Sequence, residues 1–330
     1  MCAITGVWDS SALELHAVWM MERLLLALTD SDEDDSSVRE AALAALLHVA
    51  DALDDSFYPF LPLVMPHLMQ ALEASQGLED FIYGSASSLP LTQEGLDEAM
   101  KRVEEDQTST CEEKTNAALS LAVVARVARD HFGDHVDDAI GVLLSLAVAY
   151  QPSIRRAAFI ALAPCISSSV AVWSKPIRSS PSSMALHATT ESHADGAIVN
   201  CLLALEDDDD AETVARACDC LGSIARDVGW AFLRHFQKRL IKRVRRLMMD
   251  RALCNRKADA LSWQTSQDLY TSVSHMLCAF SSSWATYAET EAIAAANNKA
   301  GRVQETHEQP MVLILCVCFV FCECVRVCNI

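Results

Sequence analysis

Apolar residues recur in this chain with alternating spacings of three and one, which place them on a single face of an α-helix. The clearest copy comprises Val38, Ala41, Ala42, Ala45, Leu46, Val49, Ala50 and Leu53. The same spacing returns in residues 117–128, 154–165 and 214–225, and more loosely in 269–284. Small residues dominate these stripes, so neighbouring helices can approach closely. A chain of this kind must stack helix on helix to bury its apolar faces.

Each stripe follows another apolar segment and a short polar break. The segments 20–28, 136–149 and 198–205 come before such breaks, which are Asp30–Asp35, Gln151–Ser153 and Glu206–Asp210. From Lys114 to Ile154 the spacing is 40 residues, within the roughly 40–47 residues of a HEAT-type helix pair. Val38-Arg39 and Ile154-Arg155 also resemble the opening of the second HEAT helix. The sequence therefore predicts an all-α chain, an α-α superhelix of the HEAT-repeat, ARM-type solenoid class; an ordinary helical bundle is the alternative.

The composition excludes several other classes. Only 10 Gly and 9 Pro occur in 330 residues, and aromatics make up 6%, which argues against a β-sandwich or barrel. Hydrophobic residues make up 51%, which argues against disorder. The net charge of −19 disfavours general binding of nucleic acid or anionic lipid and favours basic partners. The 13 Cys follow no secretory signal, so we expect reduced thiols.

Composition shifts divide the chain into six segments. We expect HEAT-type repeats in 1–74, an acidic insertion loop in 75–110, repeats in 111–166, a Ser-rich insertion in 167–193, repeats in 194–290, and a linker with a Cys-rich apolar tail in 291–330. Within that tail, Met311–Cys322 is an unbroken apolar run. It is shorter than the roughly 20 residues of a membrane-spanning helix. A buried terminal segment and a misassigned coding end are the alternatives, and the sequence predicts no membrane anchor.

No motif for catalysis or cofactor binding occurs in the sequence. Phosphate-binding Gly-rich loops and the Gly-x-Ser-x-Gly elbow are both absent. The Cys-x-Cys pairs, such as Cys218 and Cys220, lack the spacing of a structural zinc site. We therefore expect no enzyme activity, no catalytic residue, no cofactor and no metal.

Several short segments resemble one family when they are taken in order. Residues 57–69 read FYPFLPLVMPHLM, the acidic stretch Leu78–Asp106 follows, and residues 111–118 read CEEKTNAA. Residues 154–158 then read IRRAA, and residues 268–277 read DLYTSVSHML. This order is similar to that of the karyopherin-β family of nuclear transport receptors, and most similar to its importin beta-3 (importin five) branch. The resemblance covers about residues 20–290, the central third of a receptor roughly three times longer.

The resemblance implies a nuclear import receptor, or a fragment of one, that moves between cytoplasm and nucleus. Its implied partners are cargo proteins with basic import signals and Phe-Gly nucleoporins. The N-terminal repeats that grip the Ran GTPase in this family have no counterpart here, which argues against Ran binding. In the family the second helices hold the import signal. Taken with helix face, this makes the candidate cargo-facing residues Glu40, Asp51, Asp54, Glu112, Glu113 and Asn116.

Two alternatives remain open at this point. The chain could be a HEAT scaffold or regulatory subunit outside nuclear transport. Its basic segment, residues 234–257, has an apolar stripe opposite a stripe of Arg234, Lys238, Lys242 and Arg246. Such a helix could contact RNA, anionic lipid or a calmodulin-like protein, or it could be a solenoid helix with a basic outer face.

Overall fold

The computed structural model describes residues 10–29, 36–73, 93–173, 188–254 and 260–297, and these are helical almost throughout. Ten helices of more than four residues occur in these ranges: α1 Ser10–Thr29, α2 Ser36–Leu53, α3 Leu61–Glu73, α4 Gln93–Ala128, α5 Val136–Leu146, α6 Pro152–Trp173, α7 Ala188–Asp207, α8 Ala211–Val228, α9 Gln237–Cys254 and α10 Ala260–Asn297. A single helical turn, Trp230–Leu233, lies between α8 and α9. Two 3-10 segments, Asp54–Phe60 and Arg129–His135, follow α2 and α4. No strand occurs in the described ranges, so the predicted all-α class is confirmed.

The chain divides into two compact units, Met1–Pro164 and Cys165–Ile330, with the division inside α6. In the first unit α2 packs against α4, and α3 packs against both α1 and α5. In the second unit α8 packs against α10, and α7 packs against α9. Second helices of successive pairs are thus neighbours, and so are first helices. Each unit is therefore a short α-α solenoid of the predicted kind.

The apolar stripes form the seams between these helices. Every stripe residue of α4, α6 and α8 named by the spacing pattern is buried, as are Leu46, Val49 and Ala50 of α2. One buried hydroxyl crosses the first seam, where Ser120 Oγ donates to the Leu43 carbonyl at 2.9 Å. Val38 and Ala41, in the first turns of α2, are exposed instead. Helical spacing indicates which face is apolar, but it does not indicate how far a neighbouring helix covers that face.

The seam of the second unit contains four buried cysteines. Cys165 of α6, Cys201 of α7, and Cys218 and Cys220 of α8 are each at most 2% exposed. Burial raises the pKa of Cys165, Cys201 and Cys218 well above the ordinary value for a thiol. These side chains are neutral thiols that pack as small apolar groups.

Three second helices end in the same way. The residue after α2, α4 and α8 has a positive φ: 44° at Asp54, 46° at Arg129 and 84° at Gly229. A large apolar side chain then enters the core three or four residues later, and Phe57, Phe132 and Leu233 are all 0% exposed. The left-handed residue turns the chain out of the helix so that this side chain can reach the seam.

Because arginine has a Cβ, its left-handed conformation carries a strain of about 1–2 kcal/mol. We expect Arg129→Gly to raise the free energy of unfolding by up to about 1 kcal/mol, since glycine adopts this φ freely but loses more entropy on folding. The ion pair that is lost joins Arg129 Nε to Asp55 Oδ1 at 4.0 Å between exposed side chains, and is worth little. Urea unfolding of the single variant measures the change.

The neighbouring substitution Asp130→Gly is the matched control. Asp130 does not have a positive φ, so glycine brings only its entropic penalty there, and we expect a loss of about 1 kcal/mol. Equal effects at residues 129 and 130 would contradict the assignment of strain to Arg129.

Three predicted segment boundaries differ from the structure. The range 75–110 was expected to be a loop, but α4 begins at Gln93, so its second half is helical. The Ser-rich insertion 167–193 is helical at both ends, in α6 up to Trp173 and in α7 from Ala188. Helix α10 continues to Asn297 and so enters the range 291–330 assigned to the linker and tail. Serine and acidic residues lower the mean hydropathy without preventing helix formation. The run Met311–Cys322 lies outside the described residues.

Helix α6 is long and apolar enough, by length and composition alone, to cross a bilayer. Its most apolar window has a mean hydropathy of 1.5, and half of that window is buried inside the protein. Core helices of folded proteins share these properties, and the buried face of α6 carries the stripe Ile154–Cys165.

Candidate functional site

Helices α2 and α4 lie side by side and run in the same direction. Four contacts join them and the 3-10 segments that follow: Arg39 with Glu113, Ser120 with Leu43, Arg126 with Asp51, and Arg129 with Asp55. The residue numbers rise together and differ by 74, 77, 75 and 74. This parallel register brings polar residues of two separate helix pairs onto one surface.

At the start of this surface, two carboxylates lie in direct contact. Glu40 of α2 hydrogen-bonds to Glu112 of α4 when one of the two carboxyl groups is protonated, and it accepts a hydrogen bond from Asn116. The pKa of Glu40 is raised above its ordinary value, first by partial burial and then by the negative charge of Glu112, with a smaller effect from Glu113. We call Glu40, Glu112, Glu113 and Asn116 the acidic cluster. The fold thus holds like charges together on a helix surface.

In the part of the chain that the structure describes, no cation forms an ion pair with Glu40 or Glu112. Arg39 Nε lies 3.3 Å from Glu113 Oε1, and both side chains are less than a third exposed. This ion pair joins α2 to α4, and it compensates Glu113 rather than Glu40 or Glu112. The cluster therefore keeps negative charge that a cation from outside the chain could compensate.

Two further ion pairs lie towards the carboxyl ends of the helices. Arg126 donates to Asp51, and Arg129 faces Asp55. Asp51 is close to the negative end of the α2 dipole, so the arginine offsets an unfavourable placement. These pairs fix the register between the helices, and they leave Asp51 already paired with a cation.

The six residues expected to face cargo thus have different surroundings. Glu40, Glu112, Glu113 and Asn116 come together in the acidic cluster, and Asp51 lies further along the same surface. The assignment of Asp54 to the second helix is wrong, because α2 ends at Leu53 and Asp54 opens the 3-10 segment with a φ of 44°. Asp is among the few residues that tolerate the left-handed conformation, so Asp54 occupies a turning position.

Sequence reasoning missed the pairing of Arg39 with Glu113 and of Arg126 with Asp51. A signal for them was present, because residues 42–57 and 117–132 repeat their buried positions at a fixed offset: Ala42 and Ala117, Leu46 and Leu121, Phe57 and Phe132. Aligning α2 with α4 at that offset places Asp51 opposite Arg126. The buried Lys114 was also missed. Burial lowers the pKa of Lys114, while the neighbouring Cys111 and Glu113 act in the opposite direction.

Within the described ranges, no three His, Cys, Asp or Glu side chains are grouped as ligands for a metal ion. The chemistry available on the α2–α4 surface is ionic and hydrogen-bonding, from carboxylates and one amide. Such a surface can bind an ammonium or guanidinium group without covalent chemistry.

No protein-family model and no curated protein sequence matches the chain. Among solved structures it is similar to the karyopherin Kap121p bound to the extreme C-terminus of the protein phosphatase Cdc14p, with 12% identity and a TM-score of 0.46 over 96% of this chain and 38% of that one. The karyopherin Kap121p bound to the SUMO protease Ulp1p matches with 11% identity and a TM-score of 0.43, over 97% and 37%. An engineered protein matches with 15% identity and a TM-score of 0.25, over 94% and 91%. The chain therefore spans less than two fifths of the karyopherin chains that it matches.

Proposed function

We propose that this protein is a nuclear import receptor, or part of one, that binds basic import signals of cargo proteins and moves between cytoplasm and nucleus. The single observation that supports the proposal is the contact between Glu40 and Glu112 on the surface shared by α2 and α4. The sequence resemblance to the importin beta-3 branch supplies the biological setting, and the acidic cluster supplies a place where a lysine side chain can bind.

A bound lysine would relieve the repulsion between Glu40 and Glu112. Two carboxylates in contact repel each other when both are ionised. The raised pKa of Glu40 reflects partial burial first and this repulsion second. A lysine ammonium placed between them replaces repulsion with two charge-assisted hydrogen bonds. The cluster should therefore select cationic segments over neutral ones, and the net charge of −19 should speed their approach.

We expect a short lysine-rich peptide to bind the full chain at low salt, and the double variant Glu40→Gln/Glu112→Gln to bind it at least about tenfold more weakly. Glutamine keeps the shape of the side chain and removes its charge, so the loss reports electrostatics rather than packing. Fluorescence anisotropy of the labelled peptide measures the affinity. Binding should weaken as salt is added, because exposed charge pairs are screened.

The double variant Glu73→Gln/Glu191→Gln is the control, since it removes the same charge at two exposed positions outside the cluster. Equal weakening in both variants would show that only net charge matters, and would contradict the proposed site. Absence of peptide binding at low salt would contradict the import-receptor proposal, and would favour a scaffold outside transport.

The pH gives an independent readout of the same site. Ionised Glu40 binds the peptide, and its pKa in the free folded chain lies above 4.5. A bound cation favours ionisation, so binding releases a proton in the pH range just above 4.5, and affinity rises with pH there. The free energy of unfolding has the opposite trend. Because the pKa of Glu40 is higher in the folded chain than in the unfolded chain, its contribution to stability falls as the pH rises from 4.5 through the folded pKa. The Gln variant should lose both dependences.

We propose further that Phe-Gly nucleoporin repeats bind the first helices of the pairs. Val18, Trp19 and Leu26 of α1 and Leu63 of α3 are each about half exposed. Exposed large apolar side chains are the material of interaction surfaces, and a Phe-Gly repeat is a partner that would bury them.

A further inference from the structure

Cations are concentrated on one exposed side of α9 and the turn before it. Arg234, Lys238, Arg239, Lys242 and Arg246 are all exposed, and we call them the basic face. The opposite side is buried, with Leu233, Phe236, Leu240 and Val244 at most 8% exposed. The helix therefore packs into its unit through apolar residues and leaves its charged side open.

Most of this positive charge has no partner within the protein as described. Arg243 lies beside the basic face and forms an ion pair with Glu206 of α7, and Arg234 donates to the Tyr287 hydroxyl at 3.4 Å. In the described ranges no carboxylate pairs with Lys238, Arg239 or Lys242. Elsewhere Arg39, Arg126, Arg129 and Arg216 all face carboxylates. Lys238, Arg239 and Lys242 thus differ from those four arginines, in a chain with a net charge of −19.

Like charges four residues apart on a helix repel each other by about 0.2–0.5 kcal/mol per pair. Lys238 and Lys242 form such a pair on the basic face. An anionic ligand would relieve this repulsion as well as form its own ion pairs. Charge complementarity therefore favours a negatively charged partner for this surface.

The spacing of the cations narrows the choice of partner. Residues four apart on a helix rise by about 6 Å, so Lys238 and Lys242 place two cations about that far apart along the helix. Alternate residues of an extended peptide are about 6.6–6.8 Å apart and point to the same side. A segment with Asp or Glu at every second position would therefore place one carboxylate near each cation.

Two other classes of polyanion fit this surface less well. A bilayer binds an amphipathic helix through its apolar face, and here Leu233, Phe236, Leu240 and Val244 are buried inside the unit. Single-stranded nucleic acid binds through stacking on aromatic side chains, whereas the basic face consists of Lys and Arg alone.

We propose that the basic face binds an extended acidic segment of a partner protein, with carboxylates at alternate positions. This interaction is separate from the acidic cluster on α2 and α4, and it does not depend on the import-receptor function. A protein with both surfaces would bind ligands of opposite charge at different places.

The test uses the full chain and a short labelled peptide of alternating glutamate and serine. We expect it to bind at low salt, and to bind at least about tenfold more weakly to Lys238→Gln/Lys242→Gln. The control variant Arg216→Gln/Arg226→Gln makes the same change in net charge within the same unit, and should bind within about twofold of the parent. Both pairs of residues lie outside the buried core, so circular dichroism should show unchanged helix content.

Two further probes identify the class of partner. A peptide with the same number of glutamates at every third position should bind more weakly than the alternating peptide, because its successive carboxylates point to opposite sides of the extended chain. Equal binding by both variants, or no binding of the alternating peptide, would overturn the proposal. Tighter binding of a uridine oligonucleotide, or of phosphatidylserine vesicles, would assign the surface to nucleic acid or membrane instead.

Discussion

Replacing Phe57 by alanine should lower the free energy of unfolding by about 3–5 kcal/mol, the range for removing a fully buried phenylalanine. Phe57 is 0% exposed, and the 3-10 segment that carries it packs against α2, α3 and α4. Its ring lies 6.1 Å from that of Phe60, centroid to centroid. Alanine would leave a cavity between α2, α3 and α4. These helices cannot move together far enough to fill it, because the rest of their packing fixes the distance between them. Chemical denaturation followed by circular dichroism measures the loss.

The adjacent Tyr58→Ala substitution is the matched control. Tyr58 is 49% exposed, and its ring stacks on His131 with centroids 4.5 Å apart. Losing one partly exposed aromatic contact should change stability by about 1 kcal/mol. Phe132→Ala should reproduce the large effect, since Phe132 occupies the equivalent position after α4 and is 0% exposed. A small effect at Phe57 and Phe132 would contradict their role as anchors of the helix ends.

Replacing Gly222 of α8 by valine should destabilise the second unit by about 2–3 kcal/mol, because α8 and α10 are in close contact at this residue. A Cβ on Gly222 would lie 3.1 Å from the Cα of Met276 and 3.6 Å from its backbone nitrogen. Backbone atoms cannot rotate away as a side chain can, so the two helices would have to separate. Helix propensity favours valine over glycine by a few tenths of a kcal/mol, which is too small to offset the clash. Thermal unfolding of the variant measures the net effect.

Gly141→Val makes the same substitution where space is available. A Cβ on Gly141 of α5 would meet nothing within 4 Å. We expect that variant to match the parent within about 0.5 kcal/mol, or to be slightly more stable. Equal destabilisation at positions 141 and 222 would show that the helix contact at Met276 is not the cause.

The sequence predicted the helices and their buried faces well, because both depend on local spacing. Ala117, Leu121 and Ala125 were expected on one stripe and are all 0% exposed. The boundaries were predicted less well. The charged stretch before Thr110 was expected to be a loop, yet it belongs to α4. Low mean hydropathy indicates exposure to solvent, and an exposed stretch can still be helical.

Local spacing along the sequence predicted only part of the candidate site. Glu112, Glu113 and Asn116 share one helix, so their proximity follows from sequence alone. Their contact with Glu40, which is 72 residues earlier, depends on the register between α2 and α4. That register is set by seam packing and by the pairing of Arg126 with Asp51. Register between helices is a tertiary property, so the sequence could name the carboxylates but not the contact between them.

The thiols buried in the second unit have a consequence for reactivity. Because Cys165, Cys201, Cys218 and Cys220 are shielded from water, an alkylating reagent can modify them only when α6, α7 and α8 transiently separate. The rate of that modification is therefore a measure of local opening in this half of the molecule. These native cysteines report the transient opening of the second unit, so no label has to be introduced to observe it.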